Sequence, residues 1–227
     1  MSTTLFHRIT FALCCVVASQ QAAAICQPIA HYIYVGTSAQ CNTASIQTAI
    51  DNVVCAGTTV VVSTYNGATY TAQHITIADK SLTLSGTANR CDAPPVICDP
   101  NVGCGGGGAP AQVAISGNGN DPVFSISGNS HVTLANLDIS GGKGADNSLI
   151  GGGGVGFHSG GGALTLNNLR IHGNDSGYGG GVGIYGDGTL TISGSQIDSN
   201  HARFGGGISA ISSYIGQVEL VIADNAA

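Results

Sequence analysis

Tryptophan is absent from this chain of 227 residues, Glu219 is its sole glutamate, and lysine and arginine together number only six. Each scarcity excludes something. A nucleic-acid binder needs clustered cations to displace phosphate counterions, and none cluster here. Charged residues make up 8% of the chain, whereas disordered chains are usually polar and charged. No run is apolar for the roughly 20 residues that a membrane-spanning helix requires, so no transmembrane helix is expected. There is no Cys-x-x-Cys pair, which removes the usual framework of a zinc site.

What the chain has instead is glycine, 36 residues of it, punctuating short runs of Val, Ile, Leu and Thr. That composition fits many short strands separated by tight turns. Residues 1–24 have the layout of a secretory signal: Arg8 ends a polar region, Ile9 to Ala18 is apolar, and Ala22-Ala23-Ala24 supplies small residues for cleavage. Leu13 and Ile25, which precede Cys14 and Cys26, are too large for a lipoprotein site. The mature chain, 25–227, is therefore expected to be secreted, in the extracellular medium or at the outer membrane surface.

Cleavage leaves Cys26, Cys41, Cys55, Cys91, Cys98 and Cys104, an even number that in an exported chain implies disulfides. The pairing stays open among the fifteen that six cysteines allow. One pair is disfavoured on geometry. A continuous helix over 43–54 would be roughly 18 Å long, placing Cys41 and Cys55 beyond the ~4.4–6.8 Å that a disulfide spans.

Residues 25–57 read as an N-terminal cap. Tyr32-Ile33-Tyr34-Val35 forms a strand closing at Gly36; Ala44, Ile46, Ala49, Ile50 and Val53 then recur at helical spacing, with Gly57 as the stop. Strand-like runs follow at Thr58–Ser63, His74–Ile77 and Ser81–Leu84, separated by turns at Asn66-Gly67 and Ala78-Asp79-Lys80. Ser45-Ile46-Gln47-Thr48-Ala49-Ile50, Tyr70, Ile75-Thr76-Ile77 and Ser81-Leu82-Thr83-Leu84-Ser85-Gly86 resemble the cap and first coil of pectate-lyase-like proteins. The resemblance implies a right-handed parallel β-helix, all-β, with a short capping helix over the open end of its core. Residues 88–112, with three cysteines, four of the six prolines and Gly105-Gly106-Gly107-Gly108, read as an excursion loop tied by disulfides.

From 131 to 227 the chain repeats. Val132-Thr133-Leu134 precedes Leu137-Asp138-Ile139; Leu164-Thr165-Leu166 precedes Leu169-Arg170-Ile171; Leu190-Thr191-Ile192 precedes Gln196-Ile197. Unit starts at 132, 164, 190 and 218 are 32, 26 and 28 residues apart, and apolar side chains alternate with polar ones at the period of a strand. Asn136 and Asn168 fall at equivalent bends, placed to stack as an amide ladder. Ile171-x-x-Asn174 is followed by Gly179-Gly180-Gly181, and Ile197-x-x-Asn200 by Gly205-Gly206-Gly207. This pair resembles the repeats of polymorphic outer membrane proteins, the passengers of certain autotransporters, with Ile where that family has Phe. Ile222-x-x-Asn225 reads as a third copy without its glycine corner, so the repeat array is expected to be truncated.

The chemistry-bearing motifs are sparse. Gly181-Val182-Gly183-Ile184-Tyr185-Gly186 fits the dinucleotide pattern, but a turn and a strand follow it where a phosphate-binding helix is required, so no nucleotide is expected. The calcium-roll nonapeptide fails because Tyr185, or His158 or Phe157, stands where its aspartate belongs. An adventitious calcium ion at the Asp and Asn corners is the only cofactor allowed for, and turn formation is the simpler role of those residues. Asn174-Asp175-Ser176 matches a glycosylation sequon by chance. His74, His131, His158 and His201 are scattered.

Stacking the repeats gives the one catalytic candidate. Asp138, Arg170 and Gln196 form an outward row on successive coils, and Ser140, His172 and Asp198 form the next. At about 4.8 Å between strands, Asp138–Arg170 and His172–Asp198 become neighbours. Carboxylates beside a basic residue are what polysaccharide lyases and glycosidases use, although solvated pairs of this kind contribute little to stability.

The resulting expectation is one solenoid of roughly seven coils. It is read as a non-catalytic secreted or surface protein adhering to glycans or surface proteins. A polysaccharide-active enzyme is the alternative. The uncapped last coil is expected to favour self-association.

Overall fold

The computed structural model describes residues 31–91, 111–146, 151–212 and 218–223. Residues 1–24, read from the sequence as a signal, together with Cys26, Cys98, Cys104, most of 88–112 and Asn225, lie outside the described residues. Within them the protein is all-β apart from one helix and one short 3-10 turn, and every strand pairing is parallel.

All the described strands except Asp175–Tyr178 and His201–Phe204, which pair with each other in a small sheet of their own, fall into three columns. One holds β1 (Tyr32–Val35), β2 (Thr58–Ser63), β5 (Ser81–Thr87), β8 (His131–Ala135), the later halves of β10 (Val155–Asn167) and β13 (Val182–Ser193), and β17 (Val218–Ala223). A second holds β4 (Ile75–Ala78), β7 (Phe124–Gly128), the earlier halves of β10 and β13, and β16 (Ile208–Ile211). The third is a separate sheet of β3 (Tyr70–Gln73), β6 (Val113–Gly117), β9 (Leu137–Ser140), β11 (Arg170–His172) and β14 (Gln196–Asp198). Because β10 and β13 run through both of the first two columns, those columns form one strongly curled sheet. A register shift between Gly160 and Gly162 marks the bend in β10.

The period-two pattern puts the aliphatic residues inside, where identical positions stack. Leu84, Leu134, Leu166 and Ile192 form one buried file, Ile77, Ile126, Phe157 and Ile184 a second, and Ile115, Ile139 and Ile171 a third. Each strand covers what its neighbours in the stack would expose, so the core is shared along the parallel columns. Between β12 (Asp175–Tyr178) and β13, and again between β15 (His201–Phe204) and β16, the chain turns on Gly179 and Gly205, at φ of 64° and 63°. A Cβ there would come within 2.3 Å of Val182 O or 2.2 Å of Ile208 O, so the corner is open only to glycine.

Three expectations need correction. The helix, α1, runs only over Ile46–Asp51: Ser45 caps its start by accepting from the Thr48 N–H at 3.2 Å, and Asn52 ends it. Val53 is buried beyond the helix end rather than on its apolar face. The objection to a Cys41–Cys55 bond therefore no longer rests on helix length; it rests on Cys41 being bonded to Cys91, 50 residues away, while Cys55 is in a disulfide of its own. Last, β17 pairs Leu220 with Leu190 and Ile222 with Ile192. The fourth unit thus starts at 220, not 218, and Ile222 is the counterpart of Ile192 rather than Ile197. A two-residue slip keeps the same side chains facing inward, so alternation alone did not distinguish the registers. The argument for truncation, built on a third Ile-x-x-Asn copy, loses its footing.

Candidate functional site

The third sheet carries the predicted patch on its outer face. Arg170 is in register with Asp138 on one side and Gln196 on the other, and His172 with Ser140 and Asp198. Ala114 and Ser116 on β6 extend the two rows. The inward residues between the rows, Ile115, Ile139 and Ile171, are fully buried, so the core fixes the spacing of the charges outside it. The structure brings all four candidates, Asp138, Arg170, His172 and Asp198, onto three adjacent strands.

Their ionic partners cross. Arg170 Nε lies 3.4 Å from Asp198 Oδ2, and His172 Nε2 lies 2.9 Å from Asp138 Oδ1. Each side chain turns away from the carboxylate in register with it and reaches diagonally to the one on the opposite neighbouring strand, a correction to the lateral pairs Asp138–Arg170 and His172–Asp198. Arg170's side chain overshoots one row along the strand, which leaves the shorter imidazole beside Asp138. The Arg170 guanidinium, aided by Ser199, holds the Asp198 carboxyl below its usual range. The His172 approach is close but off the hydrogen-bond direction, so Asp138 Oδ1 is enclosed without an aligned donor. All four side chains remain between 26% and 43% exposed, on an open face.

This arrangement bears on chemistry directly. A general acid on a carboxyl requires a raised pKa, and Asp198 is shifted the other way. A lyase base must be free to accept a proton, and Arg170 is engaged by a carboxylate. The described cavities lie elsewhere: about 280 Å³ beside Val53, Asp79 and Lys80, and about 210 Å³ beside Pro122, Ser125 and His158.

No protein-family model, curated protein or solved structure matches the chain.

The remaining motifs resolve into structure. Asn136 and Asn168, at φ of 56° and 51°, form the expected ladder: Asn168 Nδ2 donates to Asn136 Oδ1 at 2.9 Å, and Asn136 Nδ2 to Ser85 Oγ at 3.1 Å. A second ladder was not anticipated. Asn174 Nδ2 donates to Asn200 Oδ1 at 3.0 Å and to Ile139 O at 3.2 Å, and Asn200 Nδ2 donates to Ile171 O at 2.8 Å. The recurrence of Asn 26 residues apart in the Ile-x-x-Asn motif was the available signal. Asn174 is 1% exposed, which seals the sequon against a glycan. Gly181–Gly186 lies in and beside β13, with no helix after it.

The scattered histidines sit on faces and turns. His74 Nδ1 meets Pro122 O at 2.8 Å, His131 Nδ1 meets Asn129 O at 3.1 Å, and the His158 ring lies 5.3 Å from that of Tyr185 on the neighbouring strand. His201 Nδ1 bonds Asp175 Oδ1 at 2.9 Å across β12 and β15, beside the stacked rings of Tyr178 and Phe204. Among the described residues no three His, Cys, Asp or Glu side chains converge to hold a metal ion, and no helix is long and apolar enough to cross a membrane.

Proposed function

We propose that the mature chain is a right-handed parallel β-helix, exported by its first 24 residues and held in the extracellular space or at the outer membrane surface, where it binds without catalysing. Its polar outer face, centred on Asp138, Arg170, His172 and Asp198, is the adhesive surface, and its ligands are glycans or surface proteins. The crossed ion pairs carry this reading. Arg170 is engaged by Asp198 and the His172 imidazole lies against Asp138, so both carboxylates are occupied within the patch, which suits it to many weak, extended contacts. The fold assignment draws on parallel columns, the capping helix and two asparagine ladders; the likeness to outer-membrane passenger repeats draws on the glycine corners.

The rival is a polysaccharide lyase or glycosidase, favoured by the gathering of two aspartates, an arginine and a histidine on adjacent coils. One experiment separates the two. Purified chain is incubated with a panel of polyuronides and neutral glycans, and both retention on the immobilised glycans and release of unsaturated or reducing ends are measured. Retention without product is the expected result. Product formation lost in Asp198→Ala or Arg170→Ala would overturn it.

A further inference from the structure

Among the described residues, β4 pairs with β7 alone and has no strand on its other side. Its odd-numbered residues face that neighbour: the Ile75 N–H donates to Val123 O at 2.8 Å, and the Asp79 N–H just beyond the strand donates to Ser127 O at 3.3 Å. Successive residues of a strand turn their peptide groups to opposite sides, so Thr76 presents an N–H and a C=O away from the sheet. Such an edge is a template for pairing with another chain.

That template is occupied by a side chain. Gln47 Oε1 accepts from the Thr76 N–H at 2.8 Å, and Gln47 Nε2 donates to Thr76 O at 3.1 Å. The amide thus offers one donor and one acceptor to a single edge residue, as the peptide groups of an adjoining strand would. The second hydrogen on Nε2 goes to Asp51 Oδ1 at 2.8 Å, one helical turn on, and this fixes which end of the amide faces which group. On its opposite side α1 buries Ile46, Ala49 and Ile50 on the core. The helix therefore closes the apolar end and the hydrogen-bonding edge together. Glutamate would have the reach but no donor, and asparagine is one methylene short.

We infer that Gln47 is a side-chain substitute for a missing strand, and that it keeps the free side of β4 from pairing with a second copy of this chain. Asp51 is its positioning residue. The test compares the full chain with Gln47→Ala by amide hydrogen exchange and by sedimentation over a range of concentrations. Exchange at Thr76 should quicken by at least ~10-fold, the factor corresponding to about 1.4 kcal/mol, while Ile75 stays protected. Self-association should strengthen by a comparable factor over the wild-type chain. Adding Thr76→Pro, which removes the outward N–H at an edge where proline is tolerated, should return it to the wild-type level. Should Gln47→Ala not fold, Gln47→Ser, whose side chain is too short to reach the Thr76 N–H or C=O, is read the same way. Unchanged Thr76 exchange, unchanged association, or association that survives Thr76→Pro would each overturn the inference.

Discussion

Arg170 faces Asp138 directly across β9 and β11, yet its Nε is bonded 3.4 Å away to Asp198, on the strand at the opposite side of β11 and one row over. The consequence is that Asp198, not Asp138, carries the resolved pKa shift, and it is downward.

That shift has a sign that can be checked. A carboxyl whose folded pKa lies below its unfolded value, near 3.8, stabilises the fold above that pH and loses the contribution as the pH falls through the folded value. Asp198→Asn should therefore melt slightly below the wild-type chain at pH 7, with the gap closing in acid below about pH 4. Added salt should narrow it too, since the pair is exposed. A gap in melting temperature that is constant from pH 7 to pH 3 would show that Arg170 contributes nothing through Asp198.

Tyr70 gives the opposite case. Its hydroxyl is buried, donates to Ser63 O at 2.6 Å and lies 3.2 Å from Val35 O, and burial pushes its pKa from 10.0 up to about 12. A raised folded pKa means stability fully present below pH 10 and lost as the pH climbs toward 12. Tyr70→Phe should cost about 1–2 kcal/mol in urea unfolding at neutral pH and should flatten the alkaline fall in stability. If both proteins lose stability alike between pH 10 and 12, the phenol is not the group responsible.

Asn174 is the best-connected amide of the second ladder, its Oδ1 accepting from the Gly142 N–H at 2.9 Å while Nδ2 serves Asn200, Ile139 and His172. Asn174→Ala should destabilise by about 1–3 kcal/mol, because buried backbone groups on neighbouring coils lose their partners. Asn200→Ala, at a half-buried site, should cost less. Equal costs at the two positions by equilibrium denaturation would mean that burial is not what gives the ladder its strength.

Alternation and spacing were enough, by themselves, to set the strand type, the inward files and the register of the outward rows from Asp138 to Asp198, because a parallel stack repeats one geometry and stacking follows from counting. They also set the glycine corners and the Asn136–Asn168 ladder, where the backbone conformation restricts which residue fits. Counting could not choose between registers two residues apart, and so it misplaced β17, where Leu220 rather than Val218 lies against Leu190. Nor could it foresee which side chains reach diagonally. Arg170, His172 and Gln47 each pass over or leave their own strand or helix to find a partner, and side-chain length and direction become decisive only once neighbouring coils are in place. The disulfide from Cys41 to Cys91 belongs to the same class: two residues 50 apart in the chain meet because the first coils bring them together, and no local pattern records it.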